Sequence, residues 1–246
     1  MKPKSHTLFH FTKSQEVLKL VLENGFWPRY CLEDVEWMDM GDVEFAAFPM
    51  VCFCDIPLSR IDEHVKFYGE FGIGMTKEWA IKKGLSPVQY ISPFSDIPVA
   101  YRELILKLSH AENQPFDFGW DHIRYLNSYS KPLDGNMVVD GQVVEKEFIQ
   151  ESEWRFIAND GDGTTKLLSY DSFIDSHSLE TANNETRANH MLKFEVSDIK
   201  YIFVKSDSDI PDIVSFIQNN MTFTEIADQA LLVSRVISLE SIIADI

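Results

Sequence analysis

The sequence predicts an α+β domain of mixed, mainly antiparallel sheets with flanking helices, and three observations carry that expectation. Apolar runs at strand spacing and at helical spacing alternate without the regular βαβ order of a doubly wound sheet. Hydrophobic residues make up 45% of the 246, with 13% aromatic, enough to fill a sizeable core. No Gly/Ser linker, internal repeat or low-complexity tract interrupts the chain, so residues 1–246 are expected to form a single domain.

"HTLFHFT" (His6 to Thr12) alternates as a short strand that carries His10 between two phenylalanines. A helix is expected at once. Thr12 and Gln15 match the capping-box pattern, Val17, Leu18, Val21 and Leu22 recur at helical spacing, and Gly25 stands where a C-cap glycine belongs. Residues 28–48, acidic and aromatic, read as a loop or lid with Trp37 as its natural contact. A buried strand is expected at "PMVCFC" (Pro49 to Cys54), ended by Asp55 to Pro57 because proline cannot continue a central ladder.

A helix around Lys77 to Lys83, stopped by Gly84, leads to a strand at "PVQYI" (Pro87 to Ile91). Tyr101, Leu104, Ile105 and Leu108 have the spacing of an amphipathic helix, and residues 111–147 alternate polar loops with short apolar segments. "EWRFIA" (Glu153 to Ala158), "MLKFEV" (Met191 to Val196) and "YIFVK" (Tyr201 to Lys205) read as strands separated by polar loops, one long and rich in Asp, Gly and Ser. Helices at Pro211 to Asn219 and towards the C-terminus close the chain.

Twenty-two Lys and Arg face 39 Asp and Glu, a formal net charge of −17, which repels a phosphate backbone and disfavours non-specific nucleic-acid binding. The opening "MKPKSHTLFHFTKSQEV" lacks the apolar core of a signal peptide, and no run approaches the roughly 18 apolar residues of a membrane helix, so a cytoplasmic protein without a membrane partner is expected. Cys31, Cys52 and Cys54 form an odd set. The last two share a strand face too closely to bridge easily, and all three are expected to be reduced thiols.

Several candidate sites fail on spacing. The glycines of "YGEFGIG" (Gly69, Gly72, Gly74) match neither the phosphate-loop nor the dinucleotide pattern and read more simply as loop hinges, or as places of close backbone approach. Cys52, Cys54 and His64 lack a convincing fourth ligand, so no metal is expected. Nothing local lowers a cysteine pKa, which leaves the thiols as core residues.

"ESEWRF" is more informative. As a strand it places Glu151, Glu153 and Arg155 on one face and Trp154 with Phe156 on the other. Carboxylates set under a sugar ring can hydrogen-bond ribose hydroxyls and stabilise an oxocarbenium-like transition state; on a solvated sheet face they would simply make cross-strand ion pairs. His10 is either a core-edge histidine satisfied by a carbonyl or a ligand contact. Tyr68, beside a glycine, either packs or stacks on a flat heterocycle.

"LFHFTKSQEVLKLVLENGFWPRY", "FPMVCFCDIPLSRIDEHVKFYGEFGIGMTKEWAIKKGLSPVQYI" and "ESEWRF" together closely resemble the AbiGi family of bacterial abortive-infection proteins. The resemblance runs through "LKFEVSDIKYIFV" and is weakest over residues 101–147. It implies a role in phage resistance beside a nucleotidyltransferase-type toxin partner, often as the antitoxin half. "HFTKSQEVLKLVLENGF" also resembles the opening of DarT-type ADP-ribosyltransferases. That second resemblance implies an ADP-ribosyltransferase-like fold with NAD as substrate and an acceptor of unknown kind. His10 would then bind ribose hydroxyls, with Thr12 grouped beside it on the cofactor side, and Tyr68 would stack on nicotinamide. Glu153 would hold the ribose and help polarise the acceptor, Glu151 would be its reserve, and Arg29 and Arg60 are the candidates for the NAD phosphates.

Two function classes follow. One is an enzyme that transfers ADP-ribose or hydrolyses NAD. The other is a non-catalytic antitoxin that neutralises its toxin through protein contacts, a reading the acidic balance mildly favours.

Overall fold

The computed structural model describes residues 6–109, 118–139, 141–159 and 166–245. In chain order the first elements are β1 (Thr7–Thr12), α1 (Gln15–Asn24), β2 (Arg29–Asp34), β3 (Phe45–Cys54), α2 (Ile61–Tyr68), β4 (Phe71–Thr76) and α3 (Lys77–Lys82). There follow β5 (Ser86–Pro87), β6 (Gln89–Ile91), α4 (Ile97–Ser109), α5 (Phe118–Ser128), β7 (Ser130–Pro132), β8 (Asp134–Val139), β9 (Gln142–Glu147) and β10 (Glu153–Ile157). The last are β11 (Leu168–Ser169), α6 (Tyr170–Ile174), α7 (Ser176–Asn189), β12 (Ile199–Val204), α8 (Ile210–Asn220), α9 (Ile226–Val233), β13 (Val236–Ser238) and α10 (Leu239–Ala244). The class is mixed α+β. Most strand pairs are antiparallel, and β12–β13 and β6–β7 are parallel.

The chain groups into two compact units. The first comprises the N-terminal residues through Phe26, Cys52–Leu85 and Leu192 to the C-terminus; the second comprises Trp27–Val51 and Ser86–Met191.

In the first unit the strand order is β13-β12-β4-β1, and Phe9 of β1 pairs with Cys54 at the end of β3. Strand β4 is an unexpected element: the "FGIG" glycines lie inside a strand rather than in a loop. The register explains why. Gly74 pairs with Phe9 and Gly72 with Phe11, and a Cβ on Gly72 would lie 2.6 Å from the Phe11 ring and from the His10 carbonyl. The aromatic rings of β1 occupy the room the missing side chains leave. Gly69 does make a turn, with φ +116 at the end of α2.

Phe9, Phe11, Cys54, Ile56, Ile61 and Phe203 form a buried cluster on one face of this sheet. His10, Phe26, Phe53, Trp79 and Phe194 form an aromatic chain with centroid separations of 5.0 to 5.9 Å. Helix α1 ends at Gly25 as its sequence predicts, with φ 83. Its N-cap is Ser14, whose hydroxyl accepts from the Val17 N–H, and not Thr12, which belongs to β1. "MLKFEV" is not a strand: among its residues only Leu192 makes a β-bridge, to Phe26, before a 3-10 turn at Val196–Asp198. Alternation alone does not make a strand where no neighbour offers a ladder.

In the second unit β3 pairs with β2, β10 and β11, and β10 pairs with β5. The expected loop at 28–48 is therefore corrected. Arg29–Asp34 is a full strand against β3, and Tyr30, Glu33, Asp34, Val35 and Met38 are buried. Acidic residues in this stretch disguise a buried strand as surface. The polar run after β11 holds α6 and α7, capped by the Ser169 hydroxyl and the Asp175 carboxylate. Its low hydropathy hid the helix, but Asn183 and Thr186 face inward and tie it to Tyr30 and Pro28. Part of the middle stretch, 110–117, and the run 160–165 lie outside the described residues.

Candidate functional site

Strand β10 keeps the expected period of two, with the usual sense of its faces reversed. Glu153, Arg155 and Ile157 are buried, whereas Trp154 and Phe156 are half-buried. Glu151 lies just before the strand, on a 3-10 turn (Phe148–Glu151), and Ser152 takes a left-handed φ of 45. The bend still brings Glu151 beside Glu153.

Arg155 is fully buried. Its Nε donates to Glu153 Oε1 at 2.7 Å, its Nη2 to Glu33 Oε2 at 2.7 Å and to Glu153 Oε2 at 3.2 Å, and its Nη1 to the Ser128 carbonyl at 2.6 Å. Lys131 Nζ donates to Glu153 Oε2 at 3.0 Å and to Glu151 Oε2 at 3.2 Å, and stands 3.8 Å from Glu33. Lys146 reaches Glu151 Oε1 at 2.5 Å. Among the described residues, three carboxylates thus face three cations inside the second unit, and their formal charges cancel. Buried charges survive only when paired and hydrogen-bonded in this way.

The electrostatics follow from that packing. Burial alone would lower Lys131, but the carboxylates of Glu153, Glu33 and Glu151 outweigh it and raise its pKa above the ordinary lysine value. Burial alone would raise Glu151; Lys131 and Lys146 outweigh it and hold its carboxyl below 4.5. Burial and Glu33 push the Cys31 thiol up to about 11, so it stays protonated. The Glu153 N–H donates to the Tyr90 hydroxyl at 2.8 Å, and Lys131 lies 4.3 Å from the Phe148 ring centre. The charges therefore meet a mixed polar and aromatic wall.

The structure brings Glu151 and Glu153 together in the second unit, where Arg29 also lies. Arg29 is exposed and stacks over Trp27 at 4.9 Å. In the first unit His10 Nδ1 is 2.8 Å from the Cys52 carbonyl, between the Phe26 and Phe53 rings. Burial pushes its pKa below the ordinary histidine value, so the ring is neutral. Thr12 ends β1 opposite Phe71. Tyr68 packs on the Phe9/Phe11 cluster, its ring 4.5 Å from that of His64. Arg60 is exposed at the start of α2.

Sequence reasoning missed Glu33 and Lys131. Glu33 sits in the run read as a loop, and Lys131 in a three-residue strand with no pattern of its own. The one available hint is Arg155: a guanidinium on an inward face demands carboxylates from somewhere.

Fold and site together define a mixed α+β protein with two compact units, one built on an aromatic sheet core and the other around a buried, internally neutralised ion network. Residues 24–205 match the family model described as abortive phage resistance protein AbiGi, antitoxin, and the chain belongs to the AbiGi family. A relative in Lactococcus lactis subsp. cremoris, named abortive phage resistance protein AbiGi, is 30% identical over 247 residues, covering 90% of this chain and 99% of that protein. No solved structure matches the chain significantly. Among the described residues no helix is long and apolar enough to cross a membrane.

Proposed function

We propose that the chain acts in abortive phage resistance as an antitoxin, binding and neutralising a toxin partner through protein contacts. The observation that carries this reading is the occupation of the Glu151 and Glu153 carboxylates by Lys131, Lys146 and Arg155. Groups so engaged hold an interior together, and the description of the matching family as an antitoxin supports the same reading. The partner that fits is a nucleotidyltransferase-type toxin. Such an enzyme handles phosphates with basic groups, and a surface of net charge −17 complements them and speeds encounter.

A second reading keeps one observation in its favour: two carboxylates side by side, the arrangement an ADP-ribosyltransferase-like NAD site would need at the ribose. One experiment separates the two. The purified chain is given labelled NAD and, separately, the toxin partner, and Glu153→Gln is tested in both assays with its fold checked by circular dichroism. The expected result is saturable toxin binding, retained by Glu153→Gln, and no nicotinamide release. Nicotinamide release that a folded Glu153→Gln abolishes, without toxin binding, would overturn the antitoxin reading in favour of the NAD reading.

A further inference from the structure

The second unit holds a fixed arrangement at the entry to β2 that the ion network does not use. Trp27 donates its Nε1–H to the Asn183 carbonyl at 2.9 Å and to Thr186 Oγ1 at 3.1 Å, so one edge of the indole is pinned on α7. Thr186 Oγ1 donates in turn to the Pro28 carbonyl at 2.5 Å, and the Tyr30 N–H donates to Asn183 Oδ1 at 2.9 Å. The ring is a platform held by both strand and helix.

Two guanidiniums lie over that ring. Arg29 Cζ, from the first residue of β2, is 4.9 Å from its centre, and Arg187 Cζ, from the last turn of α7, is 5.1 Å away. Both residues are exposed. The indole attracts each cation, yet it gathers two like charges and cancels neither. Among the described residues neither guanidinium makes an ion pair, in a chain where 39 acidic residues outnumber 22 basic ones. Glu185, a carboxylate two residues before Arg187, is taken by Lys166. The pair is a local excess of positive charge whose donors point to a partner outside the chain.

The chemistry of that partner follows from the side chains. Trp and Arg carry much of the binding energy in protein interfaces, and a guanidinium already held in place loses little freedom on binding. Its planar fork matches a carboxylate through two parallel hydrogen bonds. A phosphate backbone offers acceptors to the same donors, but it must approach a chain of net charge −17, which repels it.

We infer that Trp27, Arg29 and Arg187 form the centre of a protein-docking surface, at which the partner presents Asp or Glu side chains to the two guanidiniums. The inference rests on the antitoxin reading for the partner's identity, the toxin, and adds the contact. The acidic surface at large speeds encounter with a basic partner, and this pair fixes how the two proteins dock.

The test measures binding of the full chain to the toxin partner, taken as the purified product of the adjacent gene, by isothermal titration. Arg29→Gln and Arg187→Gln are compared with Lys200→Gln, a change at an exposed position in the first unit. Each substitution makes the chain more acidic, so long-range attraction to a basic partner alone predicts unchanged or tighter binding in all three. The docking contact predicts the opposite in two. The expected result is affinity about tenfold lower in each arginine variant, as loss of a charge-assisted hydrogen bond implies. Lys200→Gln should match the parent, and Arg29→Lys, which keeps the charge without the fork, should stay weaker than it. Thermal melting checks that every variant is folded. Failure of the parent chain to bind the toxin would overturn the antitoxin reading and this inference with it. Parent binding that both folded arginine variants retain in full would overturn this inference alone, as would an equal loss in Lys200→Gln. Binding of a single-stranded oligonucleotide that both arginine variants abolish would reassign the pair to phosphate and likewise overturn it.

Discussion

The two units bury polar groups in opposite ways. In the first, His10 lies among aromatic rings as a neutral side chain satisfied by the Cys52 carbonyl. In the second, Arg155 and Lys131 are buried as charged groups, held between Glu33, Glu151 and Glu153. The neutral arrangement depends on shape and tolerates little change in volume. The charged arrangement depends on every partner being present, because removing one leaves another charge without compensation. Burial therefore says nothing by itself about whether a group is catalytic or structural; its partners decide.

The largest test of this contrast removes a partner from the second unit. Arg155→Met is expected to destabilise the protein by about 3–5 kcal/mol in urea unfolding, because Glu33 and Glu153 lose their principal counter-ion. A loss below about 1 kcal/mol would show that the network does not hold the unit together. A smaller effect is expected from packing in the first unit. Gly72→Ala puts a methyl 2.6 Å from the His10 carbonyl and the Phe11 ring, and overpacking of that kind costs about 1–3 kcal/mol. An unchanged unfolding midpoint would break the argument that β1 rings require glycine on β4.

The smallest effect separates the units by pH. The pKa of His10 is lowered from 6.5, so the unfolded chain takes up the proton first, and the stability this group contributes is full above 6.5 and declines as pH falls below it. The pKa of Glu151 is lowered from 4.5, so its contribution is full above 4.5 and is lost as pH falls through the lowered value. Lys131, raised by its carboxylates, keeps its contribution throughout the acid range, since a raised lysine loses it only at high pH. Melting curves recorded across pH are expected to show a first decline below 6.5, with a slope of at most about 1.4 kcal/mol per pH unit from this residue. His10→Phe should remove that decline and leave the one below 4.5. If the early decline persists in the variant, His10 is not its source.

Much of the fold was legible. The β1–α1 unit with its Gly25 cap, the helix stopped by Gly84, the strands at Glu153 and Tyr201, and the helix at Ile210–Asn220 all follow from period and punctuation. Strand β2 was hidden because Glu33 and Asp34, normally surface residues, point inward to Arg155 and to the Asn136 N–H. Helix α7 was hidden because polar residues, Asn183 and Thr186, form its buried side. Strand β4 was hidden because its glycines take their meaning from phenylalanines on another strand. Each failure has one cause: the residue is explained by a partner far away in the chain.

The site divides along the same line. Sequence alone determined that Glu153 and Arg155 share a strand face, because side-chain direction in a strand is a local property of the backbone. It also determined the acidic balance and the family, since composition and long shared phrases need no coordinates. Tertiary structure decided that this face points inward and that Glu33 and Lys131 complete it. Those facts depend on desolvation and on groups brought together from distant positions, and the energy of a buried charge is fixed by its neighbours in space.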